Sequence, residues 1–184
     1  MQLEEKTLKQ TYRFRGRIVN LREDTALLPN GQEAGREVVE HLTGGVCVAA
    51  LTEQEELLFV RQFRYPYGEV LLELPAGKRD GRGEDPLEGA RRELREETGA
   101  EAEEWTSLGR LYPSPGYCDE VIYLYWAEKL HFGEMHPDED EFLECERIPL
   151  DEAVRRVLDG EIVDAKTQAA VLKVYLKVKE RKQA

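Results

Sequence analysis

Three glutamates lie close together in residues 91–99, which read RRELREETG. On a helix, Glu93 and Glu97 are four positions apart and Glu96 lies between them, so the carboxylates would repel one another by about 0.2–0.5 kcal/mol per pair. Most glutamate-rich helix faces are simply solvated. However, Mg²⁺ is commonly bound by one or two carboxylates together with phosphate oxygens and water. The stretch is therefore either a solvated face or a metal-binding face.

The composition restricts the classes of partner. In 184 residues, 38 Asp and Glu oppose 26 Lys and Arg, which gives a formal net charge of −12 and argues against a nucleic-acid partner. The first ten residues lack the apolar stretch of a signal peptide, and no apolar run approaches the ~18 residues that span a bilayer. Three cysteines without CxxC spacing indicate neither a disulfide framework nor a zinc site. We expect a cytoplasmic protein that does not contact the membrane.

Strand signals dominate the first half of the chain. Asn30-Gly31, within residues 11–42, is a strong signal for the turn of an antiparallel pair. The runs VCVAAL and ELLFVRQF, separated by TEQE, predict a second hairpin over residues 46–64. EVLLELPAG predicts a further strand that stops at Pro75 and Gly77.

Helices follow in the second half. Asp85 suits an N-cap, Pro86 a first helical turn, Glu88 a capping-box position and Gly99 a C-terminal stop, so the glutamate cluster lies on a well-bounded helix. EVIYLYWAEKL predicts a buried strand, and two helical segments, DEAVRRVLDG and DAKTQAAVLKVYLKVKERK, close the chain. The last segment is apolar at four helically spaced positions: Ala165, Ala169, Leu172 and Leu176. Strands first and helices later predict an α+β fold.

The glutamate stretch resembles the Nudix box, G-x5-E-x7-R-E-U-x-E-E-x-G-U with U a bulky aliphatic residue. The matched positions within GKRDGRGEDPLEGARRELREETGA are Gly77, Glu84, Arg92, Glu93, Leu94, Glu96, Glu97 and Gly99. Two features differ from the pattern, because six residues instead of five separate Gly77 from Glu84, and Ala100 is small for the last position. The extra residue lies in a glycine-rich loop, where an insertion is easily absorbed.

The resemblance implies the Nudix fold, an α/β/α sandwich around a mixed sheet, with residues 43–184 as the hydrolase domain and residues 1–42 as an N-terminal antiparallel β extension. It also implies Mg²⁺-dependent hydrolysis of a nucleoside diphosphate linked to another group, with Mn²⁺ as a substitute ion. By position, Glu93, Glu97 and the carbonyl of Ala76 would bind metal. Glu96 would support catalysis, and Arg92 would anchor the helix through an ion pair.

Other stretches resemble the ADP-ribose pyrophosphatase branch of this family. They are REVVEHLTGGVCV, RQFRYP, ELPAGK, SPGYCDE and DEDEFLE. This likeness implies substrate-binding roles for Arg64, Lys78 and Glu120. It places the general base at Glu139, and at Glu141 a carboxylate that reaches the metal, with a register that could shift by one or two residues.

The expected reaction is hydrolysis of ADP-ribose to AMP and ribose 5-phosphate. The resemblance also implies a homodimer in which the N-terminal strands complete the partner's site. The aromatic candidates to hold the adenine are Tyr12, Phe14, Tyr65 and Tyr67, which could equally be strand-packing residues.

The alternatives to ADP-ribose hydrolysis are hydrolysis of another nucleotide sugar or of an oxidised nucleoside diphosphate, or a non-catalytic role as an ADP-ribose sensor. The intact box glutamates argue against the sensor.

Overall fold

The computed structural model describes residues 3–136 and 142–183. Glu139 and Glu141 lie outside these residues. Ten strands and three helices follow one another in the described part: β1 (Lys6–Arg15), β2 (Val19–Leu27), β3 (Glu33–His41), β4 (Gly45–Ala50), β5 (Glu56–Arg64), β6 (Glu69–Glu73), β7 (Ala76–Lys78), α1 (Pro86–Thr98), β8 (Ala100–Leu111), β9 (Ile122–Phe132), β10 (Leu143–Pro149), α2 (Leu150–Leu158) and α3 (Ala165–Gln183). None of these helices is long and apolar enough to cross a membrane.

The first three strands form a separate antiparallel sheet in the order β1-β2-β3. The turn between β2 and β3 contains Asn30-Gly31, with Gly31 at φ 85°, so the predicted hairpin is confirmed. The prediction of a pair omitted β1, whose side chains are almost all exposed and give little periodic signal.

The central sheet is mixed and has the order β7-β4-β9-β8, with β4 and β9 parallel. Its strand β4 is buried on both faces, and alternate residues pack into two different cores. Val46, Val48 and Ala50 pack with Ala90 and Leu94 of α1. The intervening residues, Cys47 and Ala49, belong to the core that includes Val171 and Val174 of α3. Helices therefore cover both faces, and the predicted α+β class with a mixed sheet is confirmed.

The predicted hairpin over residues 46–64 is wrong. β4 and β5 belong to different sheets, and an isolated bridge between Leu51 and Leu57 closes the short segment that connects them. Both edges of β4 are hydrogen-bonded to β7 and β9, and both edges of β5 to β6 and β10, so neither strand has an edge left for the other. The predicted strand EVLLELPAG also divides, because the chain changes sheets at Leu74-Pro75 between β6 and β7.

The ends of α1 agree with the sequence. The Asp85 side chain accepts a hydrogen bond from the Leu87 amide at 2.8 Å, and Gly99 adopts φ 66° after the last turn. Glu88 does not complete the predicted capping box but pairs with Arg91 at 3.1 Å. The helix is thus fixed at both ends next to β7.

The buried face of α3 differs from the predicted stripe. Leu176 is 60% exposed, whereas Thr167, Ala170, Val171, Val174 and Val178 are buried. The helix carries apolar residues on both stripes, so periodicity alone did not distinguish them. The Thr167 hydroxyl helps to determine which face of α3 is buried, because it accepts a hydrogen bond from the Leu74 amide at 3.0 Å.

Candidate active site

Helix α1 presses two glutamates against strand β7. Glu93 and Glu97 are only 6% and 1% exposed, so their part of the helix is not a solvated face. Glu97 Oε2 accepts a hydrogen bond from the Ala76 amide at 3.0 Å. Buried carboxylates are costly unless they are compensated. The protein therefore holds concentrated negative charge at the junction of α1 and β7.

The glycine that opens the box makes this approach possible. A Cβ atom at Gly77 would lie 2.2 Å from Cδ of Glu93, closer than van der Waals contact allows. Any side chain at this position would force the carboxylate or the strand to move. The motif position is therefore a glycine here for a steric reason, since it has no Cβ atom to clash with Glu93.

Gly77→Ala is expected to lower the free energy of unfolding by about 1–3 kcal/mol, because the added methyl group overpacks the Glu93 site. Urea denaturation would measure the change. Gly81→Ala is the matched control, since a Cβ atom there meets nothing within 4 Å. Equal stability of the two variants would contradict this account of Gly77.

Arg92 connects the carboxylates of the box. Its Nη1 atom lies 2.8 Å from Glu93 Oε1 and 3.2 Å from Glu96 Oε2, while Nη2 donates to the Lys78 carbonyl at 2.9 Å. Its Nε atom is 3.6 Å from Glu84 Oε1. Burial alone would lower the pKa of Arg92, but the surrounding carboxylates, with Glu93 first, raise the pKa above its ordinary value. One guanidinium thus contacts three glutamates, offsets part of their charge and ties α1 to β7.

The additional residue of the box loop is accommodated in a turn. The Glu84 amide donates to the Gly81 carbonyl at 3.2 Å, and Glu84 Oε2 accepts from the Asp80 amide at 2.7 Å. This turn returns Glu84 to the neighbourhood of Arg92. The six-residue loop is therefore compatible with the contact between Glu84 and the box helix.

A cavity of about 810 Å³ opens in front of the box helix. Seven of the residues to which the resemblance assigns a metal-binding, catalytic, substrate-binding or anchoring role line it: Arg64, Ala76, Lys78, Arg92, Glu93, Glu96 and Glu120. Glu97 lies behind this wall, in contact with Ala76. The structure therefore brings the predicted anionic and cationic groups to one cavity.

Glu120 lines the cavity from the loop before β9. Its Oε1 atom lies 3.6 Å from Nε2 of His41, and the Gly44 amide donates to His41 Nδ1 at 2.9 Å. Asp119 Oδ1 accepts from the His41 amide at 2.6 Å. The end of β3 and this loop are therefore fastened to each other beside the cavity.

The oxygen atoms at the junction of α1 and β7 are suitable ligands for a divalent metal ion. Within residues 3–136 and 142–183, no three His, Cys, Asp or Glu side chains converge as a complete ligand set. Glu93 and Glu97 nevertheless offer closely held oxygens, with the wall residue Ala76 beside them. Mg²⁺ is typically bound by one or two carboxylates plus substrate phosphates and water, so these residues fit that ion with a bound diphosphate.

Some site residues were missed by the sequence analysis. Asp164 and Lys166, at the start of α3, line the cavity, and the buried Glu73 lies behind it. Asp164 and Lys166 are far from the box in the chain and match no motif, whereas Glu73 is the first residue of ELPAGK, to which no role for this side chain was attached. Among the aromatic candidates, Tyr67 lines the cavity, whereas Tyr12, Phe14 and Tyr65 do not.

Comparisons with known proteins agree with this geometry. Residues 41–170 match the NUDIX domain, and residues 5–39 match the nucleoside diphosphate sugar hydrolase N-terminal domain. The chain is 41% identical to an ADP-ribose pyrophosphatase of Bacillus subtilis (strain 168), over 99% of this chain and 97% of the relative. It is 44% identical to a methanol dehydrogenase activator of Bacillus methanolicus, over 96% and 95% of the two chains.

A solved structure described as an ADP compounds hydrolase has the same fold. It superimposes with a TM-score of 0.88 at 23% identity and covers 100% of both chains. The prediction of a Nudix fold is thereby confirmed. The family match spans most of the chain and includes the box helix, the sheet and the cavity, so the chain belongs to the Nudix family.

Proposed function

We propose that this protein hydrolyses the pyrophosphate bond of ADP-ribose to AMP and ribose 5-phosphate in the presence of Mg²⁺. The observation that carries this proposal is the pair of buried glutamates, with Glu93 in the wall of the cavity and Glu97 behind it, next to cationic side chains that also line the cavity. Similarity to an ADP-ribose pyrophosphatase over nearly the whole length of both chains supports the substrate. Nudix hydrolases generally use a divalent metal ion.

The box residues would hold the ion. Glu93, Glu97 and the Ala76 carbonyl would be its protein ligands, with Glu141 as a further carboxylate, and Mn²⁺ could substitute. When bound, the ion supplies charge compensation for the diphosphate. Glu96 stabilises the cluster through Arg92 Nη1.

The remaining residues would bind and activate the reactants. Arg64 and Lys78 line the cavity and would donate to diphosphate oxygens, since guanidinium and ammonium groups match phosphate charge. Glu120 would accept from ribose hydroxyls. Glu139 would take a proton from the attacking water as it displaces the leaving phosphate in line. The water oxygen forms the new P–O bond and the bridging P–O bond breaks.

The N-terminal sheet would serve as a dimerisation arm. We propose residues 1–42 as this arm and residues 43–184 as the hydrolase domain. β1 is an edge strand that carries the exposed side chains of Leu8, Tyr12 and Phe14. Exposed apolar groups on an edge strand favour pairing with another chain. The arm would bring Tyr12 and Phe14 to a partner's site in a homodimer. The cytoplasmic location stays a prediction.

Chromatographic product analysis tests the proposed substrate. The purified protein with Mg²⁺ is expected to release AMP and ribose 5-phosphate from ADP-ribose faster than products from ADP-glucose, GDP-mannose, NADH or an oxidised guanosine diphosphate. Faster turnover of another compound would retain the box chemistry and replace the substrate. Absence of any hydrolysis would favour a non-catalytic ADP-ribose sensor.

A further inference from the structure

A group of four charged side chains lies at the cavity, contributed by β5, β6 and the start of α3. It consists of Arg64, Glu73, Asp164 and Lys166, here called the Glu73 cluster. Arg64 Nε and Nη2 donate to the two oxygens of Glu73 at 2.6 and 2.7 Å, and Lys166 Nζ also donates to Glu73. Lys166 Nζ lies 3.0 Å from Asp164 Oδ1. Arg64, Asp164 and Lys166 line the cavity, while Glu73 is buried behind them.

Pairing within the cluster compensates the burial of its charged groups. Burial alone would raise the pKa of Glu73, but the hydrogen bonds from Arg64 and the charge of Lys166 lower it below the ordinary value. Burial alone would lower the pKa of Lys166, but Asp164 and Glu73 raise it. Two cations and two carboxylates thus balance, and Glu73, at 1% exposure, is compensated from both sides.

The backbone around the cluster fixes its geometry. The Thr167 amide donates to Asp164 Oδ2 at 2.9 Å, and the Thr167 hydroxyl accepts from the Leu74 amide at 3.0 Å. The first turn of α3 is therefore held against the end of β6. This places Lys166 beside Glu73 from one side, as the end of β5 places Arg64 from the other.

We propose that Lys166 is a positioning residue for Arg64, acting through Glu73. Lys166 shares the charge of Glu73 and Asp164, so the Arg64 guanidinium is held at the cavity wall with positive charge left for a diphosphate. Without Lys166, the Arg64 guanidinium alone would balance the carboxylates of Glu73 and Asp164. Its positive charge would then be neutralised within the protein instead of by a diphosphate. The inference rests on the proposed function through the role of Arg64 in binding substrate.

The test is a double-mutant cycle of Lys166→Met and Arg64→Ala. The dissociation constant for ADP-ribose is measured by isothermal titration calorimetry in EDTA, where hydrolysis does not interfere. Each single variant is expected to weaken binding by about tenfold, which corresponds to loss of one charge-assisted hydrogen bond. The double variant is expected to bind within about twofold of Arg64→Ala, because the effect of Lys166 passes through Arg64.

Steady-state kinetics supply a second readout. Lys166→Met is expected to raise KM, with kcat within about threefold of the wild-type value. The reason is that the lost interaction would bind the substrate and the transition state equally well. Lys177→Met is the control for the same substitution on an exposed position of α3. Should Lys166→Met not fold, Lys166→Gln replaces it, since Gln keeps an N–H donor for Glu73 without the charge.

Two results would overturn the inference. Binding by Lys166→Met within about twofold of wild type would show that Glu73 holds Arg64 unaided. Additive losses in the double variant would show that Lys166 acts on the ligand independently of Arg64. If the double-mutant cycle gives the expected result but the protein does not hydrolyse ADP-ribose, the proposed function is wrong and the positioning role of Lys166 stands. If the protein hydrolyses ADP-ribose and either of the first two results is obtained, the positioning role is wrong and the proposed function stands.

Discussion

Glu97→Gln is expected to lower kcat/KM for ADP-ribose hydrolysis by about a thousandfold, roughly 4 kcal/mol of transition-state stabilisation. Gln has nearly the same shape, and its carbonyl oxygen can still accept from the Ala76 amide, which now bonds Glu97 Oε2 at 3.0 Å. The folded structure should therefore persist. What is lost is the negative charge with which the α1–β7 junction would bind a divalent ion.

Thermal unfolding with and without Mg²⁺ separates this explanation from simple damage to the core. Binding of an ion at 100 times its dissociation constant would stabilise the wild-type protein by about 2.7 kcal/mol. Glu97→Gln should lose most of that gain. In EDTA it should be at least as stable as wild type, because one of two buried, neighbouring carboxylates is neutralised.

Glu88→Gln is the matched control for the first prediction. Glu88 lies on the same helix but is exposed and paired with Arg91. Its substitution should change neither kcat/KM nor the response to Mg²⁺. Equal Mg²⁺ stabilisation of wild type and Glu97→Gln would contradict a metal-binding role for Glu97.

Local signals were sufficient to predict α1. Asp85 and Gly99 bound the helix in the sequence and in the structure, because capping depends on side chains within a few residues. The burial of Glu93 and Glu97 had no local signal, since a solvated face has the same spacing. Only the box pattern favoured the metal-binding interpretation.

Pairing of the strands could not be predicted in the same way. The runs that form β4 and β5 are both apolar and are separated by a short polar segment, as in a hairpin. β4 instead pairs with β7 and β9, and β5 with β6 and β10, so that one partner of each strand lies far along the chain. Long-range hydrogen bonding therefore overrode the local pattern.

The same limit applies to the site. Arg64 and Glu73 lie in the quoted stretches RQFRYP and ELPAGK, but neither stretch indicated their ion pair, and the Lys166 side chain that also bonds Glu73 comes from α3. Lys166 is 93 residues from Glu73 in the chain. Its role could not be seen before the fold placed α3 against β6. Motifs thus indicated the residues proposed to bind substrate better than the residues proposed to position them.

Glu139→Gln is the second variant with a large expected effect. A general base contributes about 10²–10⁴-fold to the rate, so kcat for ADP-ribose should fall within this range while KM changes little. Gln at this position retains the size of the side chain and cannot take a proton from water. Glu139 lies outside the described residues, so the prediction rests on its position in the loop DEDEFLE.

Comparison with Glu141→Gln and with the pH dependence identifies the base. If Glu139 is the base, the acidic limb of the pH–kcat profile should disappear in Glu139→Gln, since that limb reports protonation of the base. Glu141→Gln should keep the limb and instead raise the Mg²⁺ concentration needed for half-maximal activity. Full activity of Glu139→Gln together with an inactive Glu141→Gln would move the base to Glu141. That result would shift the register of the acidic loop by two residues, while the roles of Glu93 and Glu97 on the rigid helix would stand.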